Sequence, residues 1–259
     1  MVQPWIKLED NAIIIAVMAY LTIDSIHSYY TIQGEGDPVI LLHGWGQNTT
    51  MMQFIQDHLS SRYQVINLDF PGFGQSEEPK RVYGVDDYAQ WLRSLLQQLN
   101  ITIPPILIGH SFGCRVALVY ASKWPVKKMV LTGAAGIREK QSLTTQAKVK
   151  LYKLGKKVAP KLAAEYAKKV GSSDYQQTSG VMRGTFVKVV NQDLKPLLPS
   201  INVETLLVFG DQDDQTPLWM GQMMEKLMPN AGLAIFKGQG HYAYFIEGAR
   251  FLRVLDAFM

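Results

Sequence analysis

The chain has 259 residues, of which 47% are hydrophobic and 19% are charged, and its formal net charge is +4 at pH 7. These values are typical of one large globular domain, or of a core domain that carries an insertion. The charge is too small to indicate nucleic-acid binding, and the single cysteine, Cys114, excludes an internal disulfide.

The first apolar segment covers residues 12–21 and is too short to span a bilayer. Glu9 and Asp10 precede it and no small-residue cleavage site follows, which disfavours a secretory signal. Residues 1–21 form an N-terminal extension with three open interpretations: a packing segment, a hydrophobic contact or homodimer surface, or a start placed too early, with Met18 as the true start. We expect a cytoplasmic protein without stable membrane insertion.

Strand-like and helix-like segments alternate from residue 22 onward, which predicts an α/β fold. Short strand–helix–strand connections require right-handed crossovers, so we predict a mostly parallel sheet of about eight strands flanked by helices. Strands are predicted over 22–32 (a pair), 39–42, 63–68, 106–108, 128–132, 203–209 and 233–236, and helices over 85–99, 112–124, 217–228 and 244–258. Thr216 and Pro217 suit the N-cap and the first position of the helix over 217–228.

The pattern changes over residues 137–198, where helices are predicted at 143–158, 161–170 and 179–190. This segment carries thirteen Lys and Arg residues against four Asp and Glu residues. We interpret it as a helical cap inserted into a core formed by residues 1–136 and 199–259. The positive charge suits an anionic substrate, an anionic membrane surface, or simply a solvated helical surface.

A candidate nucleophile lies between a predicted strand and a predicted helix, in Gly109-His110-Ser111-Phe112-Gly113. The pattern G-x-S-x-G in this context places a serine on a sharp turn at a helix N-terminus. A Cβ at either glycine is expected to collide with the neighbouring strand or helix. Backbone N–H groups there can stabilise a developing oxyanion.

A serine hydroxyl needs an adjacent base, and histidine suits that role because its pKa lies near neutral pH. His241 lies on the glycine-rich loop 238–242 after the last predicted strand, where its side chain can lean over the sheet. His27 and His58 are expected at the surface, and His110 is expected to pack or to form hydrogen bonds beside Ser111. We therefore predict His241 as the base.

A carboxylate would fix the tautomer of this histidine and stabilise its imidazolium form. Three candidates, Asp211, Asp213 and Asp214, follow the strand predicted over 203–209. The serine, the aspartates and the histidine all follow predicted parallel strands, so they converge at one edge of the sheet. Spacing alone leaves the choice among the three aspartates open.

The chain resembles the α/β-hydrolase superfamily over nearly its whole length, as a serine esterase- or lipase-like member with a helical cap. The motifs that carry the resemblance are H-G-W-G at 43–46, D-F-P-G-F-G-Q-S at 69–76, G-H-S-F-G at 109–113, G-D-Q-D at 210–213 and G-H-Y at 240–242. The resemblance implies that Asp213 is the acid and that the N–H groups of Trp45 and Phe112 form the oxyanion hole. It also implies a structural role for His43.

These residues predict a hydrolase of carboxylic esters that acts through an acyl-enzyme on Ser111. The sequence shows no metal-ligand spacing, phosphate loop or nicotinamide fingerprint, so no metal or cofactor is predicted. A carbon–carbon bond hydrolase or a menaquinone-pathway lyase-like member is the alternative, because residues 111–115 superficially resemble the latter and a basic cap suits acidic substrates. A non-catalytic receptor for a small ligand is a third interpretation.

Overall fold

The computed structural model describes residues 3–9, 12–138, 175–176, 178 and 180–259. These residues form one sheet of nine strands in the order β1-β2-β3-β5-β4-β6-β7-β8-β9. The strands are β1 (Gln3–Glu9), β2 (Ala12–Ile23), β3 (Ile26–Gln33), β4 (Pro38–Leu42), β5 (Gln64–Leu68), β6 (Ile106–His110), β7 (Lys128–Thr132), β8 (Thr205–Gly210) and β9 (Ala231–Phe236). From β5 across to β9 every neighbouring pair is parallel, whereas β1, β2, β3 and β5 pair antiparallel.

The described helices pack on both faces of this sheet. They are α1 (Gln53–Leu59), α2 (Val85–Gln98), α3 (Phe112–Ala121), α4 (Gly180–Asn191), α5 (Leu218–Leu227), α6 (Ala243–Ile246) and α7 (Gly248–Phe258), with short 3-10 helices at Thr49–Met52 and Lys195–Ser200. Apolar residues of α2, α3 and α5 belong to one hydrophobic layer, and those of α1 and α7 to the other. The predicted α/β fold with a mostly parallel sheet is confirmed.

The central strands are apolar because both of their faces are covered. All residues of β4 and β6 are buried. Along β4, Ile40 and Leu42 pack into one hydrophobic layer, and Val39 and Leu41 pack into the other. Continuous apolar runs of this kind are typical of parallel strands in the middle of a sheet.

The N-terminal part of the sheet differs from the predicted strand pair over 22–32. The apolar run 12–21 lies inside β2, which extends to Ile23 and pairs with β3. The turn between them is formed by Asp24 and Ser25, whose φ angles are 50° and 64°. Two positive φ values match the twist of a two-residue hairpin. β1 and the N-terminal part of β2 therefore add a hairpin to the edge of the sheet.

Only part of the predicted cap falls within the described residues. The helix predicted over 179–190 is present as α4, whereas the helices predicted over 143–158 and 161–170 lie outside the described residues. The division into core and cap stays a prediction. No helix in the described ranges has both the length and the apolar composition that crossing a membrane requires.

Candidate active site

Ser111 occupies the turn between β6 and α3. Its φ and ψ angles are 49° and −104°, a backbone conformation that residues other than glycine rarely adopt. Its backbone N–H donates to the carbonyl oxygen of Thr132 at 3.0 Å, which fixes the turn against the end of β7. Backbone strain of this kind costs on the order of 1–3 kcal/mol and persists only where the surrounding structure holds it. The fold thus presents Ser111 on a rigid turn.

The two glycines beside Ser111 allow α3 to approach the sheet. A Cβ on Gly113 would lie 2.0 Å from the carbonyl oxygen of Leu42, and a Cβ on Gly109 would lie 3.0 Å from the backbone nitrogen of Cys114. The first contact is with a strand and the second with the helix. The predicted reason for both glycines is therefore confirmed.

We expect the Gly113→Ala substitution to destabilise the fold by about 3 kcal/mol, because the methyl group would force α3 away from β4. Urea denaturation of the purified protein measures this difference. Gly232→Ala is the matched control, since no atom lies within 4 Å of a Cβ at that position. Equal stability losses in the two variants would contradict the packing explanation.

Asp213 and His241 form a buried pair at the end of the sheet. Oδ2 of Asp213 accepts a hydrogen bond from Nδ1 of His241 at 2.8 Å, and both side chains are at most 4% exposed. Oδ1 accepts from the backbone N–H groups of Gln215 at 2.9 Å and Thr216 at 2.8 Å. Burial acts to raise the pKa of Asp213, but the hydrogen bonds from His241 and Thr216 outweigh it and lower the pKa below its ordinary value. A carboxylate in this position holds the ring proton of His241 on Nδ1. Nε2, on the opposite side of the ring, is then free of a proton and can accept one.

The two other candidate aspartates do not contact His241. Both are exposed, and Oδ1 of Asp211 accepts a hydrogen bond from the backbone N–H of Gly238 at 2.6 Å. Asp211 therefore joins two loops, whereas Asp213 is the member of the cluster that the structure places at His241.

The predicted nucleophile and the predicted base lie near each other but are not joined. Within the described residues, no hydrogen bond links the hydroxyl of Ser111 to His241. The ring of His110, the residue before Ser111, lies 4.8 Å from the ring of His241 between centroids. Hydrogen bonds between catalytic groups are often long in unliganded proteins and tighten when substrate binds.

The other histidines have separate contacts. Nδ1 of His110 lies 3.1 Å from Oγ1 of Thr132, and burial, followed by the charge of His241, lowers the pKa of His110 well below its ordinary value. His110 is therefore neutral and packs beneath His241. His43 accepts a hydrogen bond from the backbone N–H of Phe70 at its Nε2 and contacts the carbonyl oxygen of Gly44 through Nδ1. Two histidines lie further away: His27 is exposed, and His58 pairs with Asp256.

Thr216 lies at the candidate site, although its position before Pro217 predicted a helix N-cap. The helix after it begins at Leu218, and Thr216 does not cap it. Instead, Oγ1 of Thr216 donates to Oδ2 of Asp213 at 2.7 Å and lies 3.1 Å from Nδ1 of His241. The sequence signal for a contact with Asp213 was the position of Thr216 three residues later. A threonine before Pro217 is equally typical of a helix start, so the signal did not distinguish the two roles.

A cavity of about 340 Å³ opens beside Ser111. The described residues that line it are Trp45, Ser111, Phe112, Arg115, Ala135, Phe186, Val189, Val190, Gln215 and Thr216. The ring of Trp45 packs edge-on against Phe112 at 5.4 Å and in a tilted arrangement against Phe186 of α4 at 5.1 Å, between ring centroids. The wall of the cavity is thus largely apolar, and α4 supplies one side of it.

The two predicted oxyanion donors both belong to residues of this cavity. Among the described residues, no group accepts a hydrogen bond from the backbone N–H of Trp45 or of Phe112. Phe112 is the first residue of α3, where N–H groups have no partner inside the helix. The oxyanion hole requires two such unpartnered amides, and its assignment to Trp45 and Phe112 stays a prediction. In the described ranges, no three His, Cys, Asp or Glu side chains are grouped as metal ligands would be.

Comparisons with known proteins find similarity to the α/β hydrolase fold. Residues 37–153 match the family model of the α/β hydrolase fold. The chain is 27% identical to the 2-hydroxy-6-oxo-2,4-heptadienoate hydrolase of Pseudomonas putida, over 87% of this chain and 90% of that protein.

Two solved structures share the fold. One is an esterase from Exiguobacterium antarcticum, with a TM-score of 0.73 and 23% identity over 92% of this chain and 98% of that one. The other is a meta-cleavage product hydrolase from Pseudomonas fluorescens, with a TM-score of 0.71 and 24% identity over 93% of this chain and 96% of that one.

Proposed function

We propose that the chain is a serine hydrolase of the α/β-hydrolase superfamily that cleaves carboxylic esters through an acyl-enzyme. One observation carries the proposal. The strained turn of Ser111 opens onto an apolar cavity, at the same sheet edge as the buried pair of Asp213 and His241. Such a cavity accommodates the apolar acyl group of an ester.

In the proposed reaction, Oγ of Ser111 attacks the ester carbonyl carbon while Nε2 of His241 accepts the hydroxyl proton. The carbonyl oxygen becomes an oxyanion that accepts hydrogen bonds from the N–H groups of Trp45 and Phe112, each worth on the order of 3 kcal/mol. His241 then donates its proton to the leaving alcohol. A water molecule then attacks the acyl-enzyme while His241 accepts its proton, and the acid leaves as Ser111 regains its proton from His241. Asp213 stabilises the imidazolium during both acylation and hydrolysis.

Hydrolysis of a carbon–carbon bond is the second candidate. The observation that favours it is the similarity to the Pseudomonas putida enzyme, whose name gives a 2-hydroxy-6-oxo-dienoate as its substrate. The same three side chains would serve, since both reactions move protons and stabilise an oxyanion. The candidates differ in the bond that breaks, so substrates separate them.

The test is a substrate panel with the purified protein. It comprises p-nitrophenyl esters of increasing acyl length, a 2-hydroxy-6-oxo-dienoate, and a fluorophosphonate probe whose adduct is located by mass spectrometry. We expect ester hydrolysis and a single adduct on Ser111. Turnover of the dienoate without any ester would favour the second candidate, and the absence of turnover and labelling would contradict both.

Thr216 acts as a positioning residue in this proposal. Thr216→Val removes the hydroxyl that donates to Asp213 but keeps the shape, so we expect kcat to fall about tenfold with little change in KM, as for the loss of one hydrogen bond to a charged group. Thr216→Ser should restore most of the rate.

Thr205→Val is the matched control, because Thr205 is the first residue of β8, away from the site, and its hydroxyl donates to the carbonyl oxygen of Val203. If Thr216→Val changes kcat no more than Thr205→Val does, the hydroxyl has no part in orienting His241.

A further inference from the structure

One charged side chain lines the cavity among the described residues, and the proposed reaction does not use it. Arg115 lies on α3 four residues after Ser111, so the two are about 6 Å apart along the helix axis. It is 8% exposed. The other described lining residues are aromatic, aliphatic or uncharged polar residues. The cavity therefore combines an apolar wall with one cation.

Among the described residues, the groups that accept hydrogen bonds from this cation are neutral. Nη1 of Arg115 donates to the carbonyl oxygens of Val189 at 3.2 Å and Gln192 at 3.0 Å, at the C-terminal end of α4. In the described part of the chain, no carboxylate forms an ion pair with Arg115. Burial lowers the pKa of Arg115 to about 10, although the charge of Asp193 acts in the opposite direction. Arg115 thus remains protonated at neutral pH in a place where an unpaired charge is costly.

We infer that Arg115 binds a carboxylate group of the substrate, which would make that substrate an ester or acyl compound with a second, acidic group. This inference rests on the proposed function. A guanidinium has five N–H donors in a planar fork, and Nη1 accounts for the two bonds to α4. Nε and Nη2 have no hydrogen-bond partner in the part of the chain that the structure describes, and a carboxylate matches two such donors side by side. The anion would also neutralise the buried charge.

The two hydrogen bonds to α4 also allow an alternative explanation, in which Arg115 only anchors that helix. Arg138 provides a matched control, because its Nη1 donates to the carbonyl oxygen of Asn191 at 3.3 Å, in the same helix end. Arg138 is exposed and is not among the lining residues of the cavity. Losing Arg138 therefore tests helix anchoring and overall charge without removing the cation from the cavity.

The experiment compares esters that differ only by a carboxylate. One pair carries it on the acyl side (p-nitrophenyl pentanoate and mono-p-nitrophenyl glutarate), and another on the alcohol side (4-nitrophenyl and 3-carboxy-4-nitrophenyl butyrate). The readout is kcat/KM for the acidic ester divided by kcat/KM for its neutral partner, in the wild type, Arg115→Met, Arg115→Lys and Arg138→Met. We expect this ratio to fall at least about tenfold in Arg115→Met for one pair, chiefly through KM. It should fall less in Arg115→Lys and stay unchanged in Arg138→Met.

Two results would overturn the inference: a ratio that is the same in the wild type and Arg115→Met for both pairs, or an equal fall in Arg138→Met. Calorimetric binding of glutarate to the wild type, Arg115→Met and Arg138→Met is the second measurement and requires no turnover. We expect glutarate to bind at least about tenfold more weakly to Arg115→Met alone. If the wild type hydrolyses none of the four esters, ester hydrolysis is contradicted, and glutarate binding still decides the role of Arg115.

Discussion

Replacing Ser111 by alanine is expected to lower kcat for ester hydrolysis by at least about 10⁴-fold. The hydroxyl oxygen is the atom that would form the acyl-enzyme. The hydroxyl of Thr216 also lines the cavity, but it donates to Asp213 on the Nδ1 side of His241, so it is not placed to give its proton to Nε2. Alanine occupies the same strained turn at no additional steric cost, so the fold should persist. A hydrolysis assay with p-nitrophenyl butyrate, together with thermal unfolding, measures both effects.

Ser122→Ala is the matched control for this experiment. Ser122 follows the other end of α3, where its hydroxyl donates to the carbonyl oxygen of Val119 at 2.8 Å. Its loss should leave kcat unchanged within about twofold, because substitutions away from a site have small effects. A Ser111→Ala protein that keeps more than about one tenth of the wild-type kcat would remove Ser111 from the reaction, since a nucleophile cannot be replaced at so small a loss.

Much of the core could be predicted from the sequence, because its strands are buried on both faces and are therefore continuously apolar. The boundaries predicted for the strand at 128–132 agree with β7, and the helix predicted over 85–99 agrees with α2 to one residue. The N-terminal hairpin could not be predicted in this way. The apolar run at 12–21 suits a packing segment, a contact surface or a start placed too early, and only the pairing of β2 with β1 and β3 places it in the sheet.

Some residues of the candidate site could likewise be predicted from the sequence, and others could not. Ser111 lies between two glycines where a Cβ would be crowded, and His241 follows Gly238, whose φ is 74°, so the glycines mark both positions in a single sequence. Which aspartate contacts His241 depends on the path of the loop after β8, and the resemblance rather than the spacing selected Asp213. Thr216 and Arg115 were missed as site residues because their roles arise from long-range contacts. Thr216 meets a residue 25 positions later, and Arg115 meets α4 more than 70 positions later.

Asp213→Asn is expected to have the second largest effect, a loss of about 10⁴-fold in kcat with the fold retained. The two backbone donors at Oδ1 require an oxygen there, so the amide oxygen of asparagine should take that place. Its NH₂ group then replaces Oδ2 and faces Nδ1 of His241 at 2.8 Å. A donor at this point forces Nδ1 to accept, which leaves the ring proton on Nε2, and His241 can no longer take a proton from Ser111.

Asp214→Asn separates this tautomer effect from a general loss of charge, because Asp214 is the adjacent exposed carboxylate. We expect its kcat to stay within about twofold of the wild type, as for other surface substitutions. Kinetic measurement of both variants, with nuclear magnetic resonance of the His241 ring nitrogens, follows rate and tautomer together. If Asp213→Asn kept the wild-type rate while the proton moved to Nε2, the base in the reaction would have to be a residue other than His241.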